Sequence, residues 1–403
     1  MISALKVIYA SRRLRACAIT MFFIGAIAAS IAPYQGLIAI KYFGFSDAQF
    51  AAIMIAGAAM SVAASLYVGI ITDQWASRYN TALVCALIVS GAFALVYVTR
   101  APWAYLLAAC LLIPIGFSLM GQVFAIARVA VNERAPFERD AVMAVIRAGF
   151  AVPFIVILPL WSLFITEDAD LITLYLAMAV AAAGALLTLI FVLPKDGTEG
   201  GVETKSGLTF RQSMAELLHP RVTLRLLLIA TLVAANTAYM QTMGLIFDLA
   251  HPNGTARTAQ LAALIAGLEI PFMALIPLAT ARASKSTVLL AAALIYSIFL
   301  FGFPLLAGTD FVWLLALPAA MGAAALLTLP IAYFQDLLAH RPGASSSLQT
   351  VNQVTSQLIA GSVFWVGTAL AGYSLVMILA AALAIGAGVI LRAADARAGV
   401  VQG

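Results

Sequence analysis

A carboxyl group inside a long apolar stretch is the most informative residue of this chain. Glu269 lies about twelve residues into an apolar stretch near residues 258–281. If that stretch crosses a bilayer, the charge costs roughly 3 kcal/mol at mid-depth, so the group is a functional candidate by default. Desolvation favours its neutral form, so the side chain can take up and release a proton. The alternative is a structural carboxyl that hydrogen-bonds a neighbouring helix or pairs with Arg147.

Two arginines and an aspartate form a second set of candidates. Arg147 is flanked by apolar residues, so it needs a partner. That partner is a substrate oxygen, Glu269, or an acidic residue at a helix end such as Glu133 or Asp336. Arg128 and Asp336 fall at the ends of apolar stretches, where long side chains reach water easily. For these two we expect a conformation-dependent gate or simple surface pairing.

Amides and tyrosines form a third set, spread over several apolar stretches. The densest group is Gln349, Asn352, Gln353, Ser356 and Gln357, several of which share one face at 3.6 residues per turn. Amides donate and accept hydrogen bonds and aromatic rings cover C–H surfaces, which suits a neutral solute such as a sugar. The alternative is that the amides join helices to one another. The predicted substrate contacts are Tyr34, Gln35, Gln122, Arg147, Asn236, Tyr239, Gln241, Asn352, Gln353 and Gln357.

The sequence lacks the residue patterns that metal binding, nucleophilic catalysis and ATP binding require. The three histidines, His219, His251 and His340, lie far apart in predicted loops, so they have no zinc or catalytic-triad spacing. No phosphate-binding loop with Lys-Ser or Lys-Thr occurs, which argues against ATP as an energy source. The three cysteines fall inside apolar stretches and are expected to behave as small hydrophobic residues. We therefore expect no enzyme activity, no cofactor and no metal site.

The elements that carry these residues follow from composition. Of the 403 residues 64% are hydrophobic and only 10% are charged, whereas a soluble domain has roughly a quarter charged. The apolar stretches are about twenty or more residues long, enough to cross a ~30 Å hydrocarbon layer as helices. Lipid admits only helices or closed barrels, and the alternation of a barrel strand is missing. The sequence predicts an all-α polytopic membrane protein with twelve spans.

The twelve spans divide into two halves. A polar stretch at 194–221 separates them, so we predict an N-terminal six-helix bundle (1–193), a cytoplasmic linker (194–221) and a C-terminal six-helix bundle (222–403). The halves also echo each other, because residues 29–35 align with residues 235–241 at an offset of about 206. Two pseudo-symmetric bundles predict a solute site between them near mid-depth and alternating access by rocking.

Charge distribution predicts the orientation of the chain. If the N-terminus is cytoplasmic, about eighteen of the 22 lysines and arginines fall on cytoplasmic ends and loops. Only Lys41, Arg100 and Arg257 then lie outside, which is the positive-inside pattern. An even number of spans returns the C-terminus to the cytoplasm. The net positive charge of the chain therefore reflects its membrane topology, and we expect no nucleic-acid partner.

Three sequence segments resemble the sugar efflux transporter family of the major facilitator superfamily. They are Ala266-Gly267-Leu268-Glu269-Ile270-Pro271, Tyr333-Phe334-Gln335-Asp336-Leu337, and Gln122–Arg128 with Met143–Ala148. The resemblance implies a proton-coupled exporter of sugars or glycosides in a bacterial inner membrane, acting as a monomer. The superfamily's signature after the second span survives here only as Gly69, Asp73 and Arg78, which implies a conformational role for Asp73 and Arg78. Leu158-Pro159 stands where the family tends to have Gly-Pro.

Two alternatives to sugar export remain open at the level of sequence. The same fold can export amphipathic drugs, a function that prefers a cavity rich in aromatic residues and methionine. Met21, Met54, Met60, Met240 and Met243 are compatible with it. The other alternative is a membrane sensor or assembly factor without a transport cycle. The lack of a soluble output domain and the buried Glu269 argue against it.

Overall fold

Helices form nearly all of the part of the chain that the computed structural model describes, namely residues 2–75, 78–131, 136–165, 170–195, 220–337 and 342–397. Within these residues eleven helices are long and apolar enough to cross a membrane. The twelfth span, Pro342–Leu370, has 29 residues and so is long enough, but its first half carries the amide-rich segment. The spans are Arg12–Ile31, Asp47–Trp75, Arg78–Thr99, Pro102–Ala130, Pro136–Phe164, Thr173–Phe191, Pro220–Ala250, Gly254–Thr280, Lys285–Leu306, Asp310–Leu337, Pro342–Leu370 and Tyr373–Arg397.

The observed helices confirm the predicted all-α polytopic fold with twelve spans. A short helix, Ile2–Ala10, precedes the first span, and the first span continues after a break as Gln35–Leu37 and a π-helical turn, Ile38–Tyr42. The predicted linker lies mostly outside the described residues. The division of the chain at 194–221 therefore stays a prediction.

Local sequence signals explain where several spans begin and end. The hydroxyl of Ser11 accepts a hydrogen bond from the amide of Leu14 at the start of the first span, and Ser284 does the same for the ninth. Pro102 occupies the first turn of the fourth span, where its missing N–H costs nothing. Gly372 has a φ of +80° between spans eleven and twelve, a conformation that glycine adopts without strain.

Helix packing groups the spans into two sets with a seam between them. In the first half, span one packs on spans four, five and six, and span three packs on spans four and six. In the second half, span seven packs on spans eight, eleven and twelve, and span nine on spans ten and twelve. The halves meet where span two packs on span eleven, span five on span eight, and the continuation of span one on span seven.

Small residues bring spans one and seven into backbone contact at one end of the seam. A Cβ added to Gly36 would lie 2.3 Å from the carbonyl oxygen of Gln241. A Cβ added to Gly244 would lie 2.7 Å from a methyl group of Leu37 and 3.0 Å from the carbonyl oxygen of Pro33. Neither glycine can become a larger residue without moving these spans apart, so this tight contact depends on both of them.

Polar contacts between the halves lie at the same end. The Lys41 ammonium lies 2.7 Å from a carboxylate oxygen of Asp248, and the Tyr373 hydroxyl donates a 2.8 Å hydrogen bond to Asp47. The ring of Phe50 in span two also meets the ring of Phe364 in span eleven edge to face, with centroids 5.2 Å apart. We call this part of the seam the closed end. It includes the C-terminal ends of spans one and seven and the N-terminal ends of spans two and twelve.

Candidate functional site

Two glutamines at equivalent positions of the two halves bind each other across the seam. The Gln241 Nε2 atom donates a 2.8 Å hydrogen bond to the Gln35 Oε1 atom, and both side chains are half-buried. The offset of 206 residues that the sequence repeat predicts is the separation of this pair. Gln241 Oε1 is buried and has no partner among the described residues. The pair therefore keeps hydrogen-bonding capacity that is unused in this conformation.

The tyrosines next to these glutamines are buried rather than open to a cavity. Tyr34 is fully buried, and its hydroxyl has no partner among the described residues. Tyr239 points into the C-terminal half, where its ring meets Phe299 and Phe303 edge to face. Its hydroxyl donates to the sulfur of Met243. The sequence places both tyrosines near the glutamines but does not reveal that they face the packed interior in this conformation.

Span eleven divides its amides between two faces. Gln353 and Gln357 are exposed, whereas Asn352 and Ser356 are fully buried. Both amide atoms of Asn352 lack a partner among the described residues. Exposed amides far from a helix end are costly against lipid, so we infer that Gln353 and Gln357 face a space that admits water.

Glu269 lies among polar residues of the C-terminal half. Its side chain is half-buried in span eight and has no ion-pair partner among the residues that the structure describes. Its carboxyl group is within electrostatic reach of the hydroxyl groups of Tyr239 and Tyr296. The Tyr296 hydroxyl donates a 2.9 Å hydrogen bond to Asn236 Oδ1. Tyr296 thus contacts a predicted substrate-binding residue and lies within electrostatic reach of the predicted proton-exchanging residue.

Arg147 and Gln122 contribute the polar groups of the N-terminal half. The guanidinium carbon of Arg147 lies 5.7 Å from the centre of the Phe124 ring, and no ion pair to Glu269 is present among the described residues. Gln122 is buried on span four, and its Oε1 atom has no partner there. Ser118, one turn away, is also buried with an unpartnered hydroxyl. Gln122 and Ser118 therefore keep unused hydrogen-bonding capacity inside the packed N-terminal half.

The predicted gate residues have different surroundings. Asp336 forms an ion pair with Lys285, so it pairs within the C-terminal half and not with Arg147. Arg128 is exposed in the last turn of span four, and Arg78 begins span three. The side chain of Asp73 and all of Glu133 lie outside the described residues. The suggested pairing of Arg147 with Glu133 is therefore untested.

Sequence reasoning missed a buried charge cluster in the C-terminal half. Arg225 Nε lies 2.9 Å from Asp395 Oδ1, and the hydroxyl of Tyr333 donates to the same carboxylate at 2.8 Å. Only 7% of the Arg225 side chain and 4% of the Asp395 side chain are exposed. The cluster joins spans seven, ten and twelve. The available signal was Arg225, which lies inside the predicted seventh span, whereas Asp395 lies beyond the predicted end of the twelfth.

No group of three or more histidine, cysteine, aspartate or glutamate side chains that can hold a metal occurs within the described ranges. Apart from the Arg225–Asp395 cluster, the polar groups brought together here are amides, hydroxyls, the carboxyl of Glu269 and the guanidinium of Arg147. Such a set can hydrogen-bond a neutral solute and exchange a proton. Together with two helical sets that meet along a seam, it is typical of a membrane transport protein.

The family follows from the comparison of the chain with known families. The model described as Major Facilitator Superfamily matches residues 17–361. The chain therefore belongs to the major facilitator superfamily and is a multi-pass, non-enzymatic transport protein.

Individual relatives are distant in sequence. A protein of Deinococcus radiodurans named "Putative sugar efflux transporter" is 25% identical over 379 residues, covering 88% of this chain and 91% of the relative. The solved structure of the nucleoside transporter NupG has a TM-score of 0.73 at 15% identity, covering 95% of this chain and 99% of that one. A peptide transporter POT in complex with sulfate has a TM-score of 0.74 at 12% identity, covering 97% and 96%. The two structural likenesses establish the fold alone.

Proposed function

We propose that this protein exports sugars or glycosides across a bacterial inner membrane by alternating access, driven by proton exchange. Its N- and C-termini are then cytoplasmic, as the distribution of lysine and arginine predicts. The observation that carries the proposal is the combination of unpartnered amides from both halves with one carboxyl group in span eight. The name of the Deinococcus relative supports the substrate class.

The polar groups favour a neutral solute with many hydroxyl groups. Gln35 and Gln241 meet at the seam, and Gln353 and Gln357 present amides on one face of span eleven. Each amide can both donate and accept, as each sugar hydroxyl does. Arg147 is the one arginine in this set, whereas a site for anions needs more positive charge.

Glu269 suits the role of proton carrier because of its surroundings. An ionised carboxylate without a cationic partner is costly in an apolar region, so the group takes up a proton unless water or a polar solute reaches it. Opening the site to either side of the membrane changes that access. Proton binding and solute binding are then linked through the same conformational change.

The contacts at the closed end correspond to one state of the transport cycle. With cytoplasmic termini, the closed end faces away from the cytoplasm. Export then requires the Gln35–Gln241 hydrogen bond and the Lys41–Asp248 ion pair to break. Rocking of the two halves about the solute site achieves this.

Drug export is less well supported by the positions of the methionines. Met21 and Met243 are fully buried and Met54 is 9% exposed, so these three pack within the helix bundles, whereas Met60 and Met240 are half-buried. A cavity for amphipathic drugs requires such side chains on its open surface. The transport assay below includes this class as a separate outcome.

The test is counterflow of labelled sugars in proteoliposomes with an imposed pH gradient, comparing the native protein with Glu269→Gln. The amide keeps the size of the side chain but cannot exchange a proton at this pH. We expect the native protein to accumulate sugar in response to the gradient. The variant should retain sugar exchange at equal pH but lose the response to the gradient.

Asp310→Asn is the matched control, because it makes the same chemical change at a side chain that is 86% exposed. It should respond to the gradient as the native protein does. A pH response that survives in Glu269→Gln would rule out Glu269 as the proton carrier. If the protein transports amphipathic cations but no sugar, the proposed substrate class is wrong. The assignment of the transporter fold is unaffected by that result.

A further inference from the structure

The orientation of one side-chain amide in span seven is fixed from outside the predicted site. Asn236 is half-buried, and its Oδ1 atom accepts the 2.9 Å hydrogen bond from Tyr296 of span nine. Tyr296 is 1% exposed and was not among the residues singled out from the sequence. Tyr296 therefore does not face the solute itself but supports Asn236, a predicted substrate contact, from behind.

The chemistry of the phenol decides which end of the amide faces Tyr296. A buried hydroxyl proton needs an acceptor, and the amide oxygen of Asn236 is the one it has among the described residues. If the amide turned over, its NH₂ group would face the hydroxyl and leave the phenolic proton without an acceptor. Tyr296 therefore selects one of the two orientations of the amide.

Close packing holds the Tyr296 ring in place. A Cβ on Gly322 of span ten would lie 2.6 Å from the Cβ of Tyr296, so only glycine allows this approach. The ring of Phe299 packs beside it with a centroid distance of 5.5 Å. A ring confined on both sides cannot follow a turning amide. Tyr296 thus supplies a fixed donor to Asn236.

The other end of the amide is free to bind a solute. The Nδ2 atom of Asn236 has no hydrogen-bond partner among the residues that the structure describes. It is also not among the fully buried polar atoms, so it remains accessible. Glu269 lies within electrostatic reach of the same tyrosine. A solute that reaches this point meets N–H donors from Asn236.

We propose that Tyr296 is a positioning residue that makes Asn236 a donor, so that the transporter selects solutes with a hydrogen-bond acceptor at this point. For a sugar, that acceptor is a hydroxyl oxygen or the ring oxygen. This inference rests on the proposed function for its substrate class. The hydrogen bond on which it depends can be tested without any substrate.

The first arm of the test measures the hydrogen bond by infrared spectroscopy of protein labelled with ¹³C-asparagine. The difference between the native protein and Asn236→Ala identifies the carbonyl band of Asn236. We expect Tyr296→Phe, which removes only the hydroxyl, to move this band to higher frequency. A band that stays in place would overturn the positioning role. Tyr105→Phe is the matched control, because its buried hydroxyl has no partner among the described residues.

The second arm measures selectivity with D-glucose, D-galactose and L-arabinose and their monodeoxy and monodeoxyfluoro derivatives as competitors of counterflow. Fluorine keeps a weak acceptor but cannot donate, whereas hydrogen does neither. In the native protein, one ring position should tolerate fluorine but lose about three- to tenfold in competition when the hydroxyl becomes hydrogen, the range of one net hydrogen bond. In Tyr296→Phe that difference should fall to less than about twofold.

Two further outcomes are informative. If Tyr296→Phe keeps the native preference for fluorine over hydrogen, Tyr296 does not determine selectivity and the inference is wrong. If no sugar is bound by the native protein, the proposed substrate class fails. The infrared result then decides by itself whether Tyr296 orients Asn236.

Discussion

Individual polar residues in this protein fall into two groups that differ in whether their hydrogen bonds are complete. The Arg225 cluster is satisfied, since the guanidinium binds Asp395, Tyr333 and the carbonyl oxygens of Arg221 and Ala394. The amides of Gln122 and Asn352 are buried with unused atoms. A satisfied cluster stabilises a bundle, whereas unused groups are available for a ligand. The first group therefore contributes to stability, and the second fits the proposed role in solute binding once the helices move to expose it.

Breaking the buried ion pair should destabilise the C-terminal half. Asp395→Asn leaves Arg225 charged and buried with a weaker partner, which costs about 3–5 kcal/mol in comparable pairs. We expect a lower thermal transition midpoint in detergent, measured by the loss of helical circular dichroism. Asp310→Asn should shift the midpoint little, because the Asp310 side chain is 86% exposed and ion pairs of exposed groups contribute about 0–1 kcal/mol.

A double variant distinguishes charge from packing at this cluster. Arg225→Met with Asp395→Leu removes both charges and keeps apolar volume, which is often neutral or stabilising for a buried pair. It should recover most of the midpoint that Asp395→Asn loses. A double variant as unstable as the single one would mean that the cluster acts through shape and not through charge.

At the scale of elements, the contact of spans one and seven is the main constraint on the closed end. Gly36 and Gly244 allow the two backbones to touch, and Gln35 and Gln241 bond across the same contact. The helices contribute no hydrophobic gain against lipid by associating, so close packing and hydrogen bonds must hold them. The sequence reveals the matched glutamines but not that they bond to each other.

Replacing Gly244 with a larger residue should open the closed end. Gly244→Leu places a side chain where Leu37 and the carbonyl of Pro33 now lie, so spans one and seven must separate. We expect spin labels at Thr99 and Thr309, both exposed near this end in opposite halves, to move further apart in double electron–electron resonance. Gly91→Leu is the control, because a Cβ there meets nothing within 4 Å. An unchanged distance in Gly244→Leu would show that this contact does not limit opening.

At the scale of the whole molecule, the proposed mechanism makes the relative position of the two helical sets decide which face of the membrane the solute reaches. Ion pairs and hydrogen bonds at the closed end bias that equilibrium by small amounts, because the Lys41 and Asp248 side chains are 50% and 31% exposed. Exposed pairs contribute about 0–1 kcal/mol and are screened by salt. Transport needs such weak contacts, since a strong lock at one end would stop the cycle.

Reversing the charge of Lys41 should favour opening of the closed end, and reversing the charge of Asp248 as well should restore the native equilibrium. Lys41→Asp sets two carboxylates against each other and should raise the open population at this end several-fold, as about 1 kcal/mol of repulsion does. The double variant Lys41→Asp with Asp248→Lys should return the population to the native level. The same spin-label distance measures both, at low and high salt. A double variant that stays open would mean that the two side chains do not act as a pair.

The sequence by itself determined the fold class, because the apolar stretches have a length and a composition that only membrane-spanning helices accommodate. It also identified Glu269, since a carboxyl in an apolar stretch is visible without coordinates, and it matched Gln35 with Gln241 through the internal repeat. Tertiary structure alone decided which atoms are paired. The direction of Tyr239 into the bundle, the bond of Tyr296 to Asn236 and the Arg225–Asp395 pair join residues 4 to 170 positions apart. Helical periodicity predicts on which side of its own helix a residue lies. Only the packing of the helices determines which residues of another span it contacts.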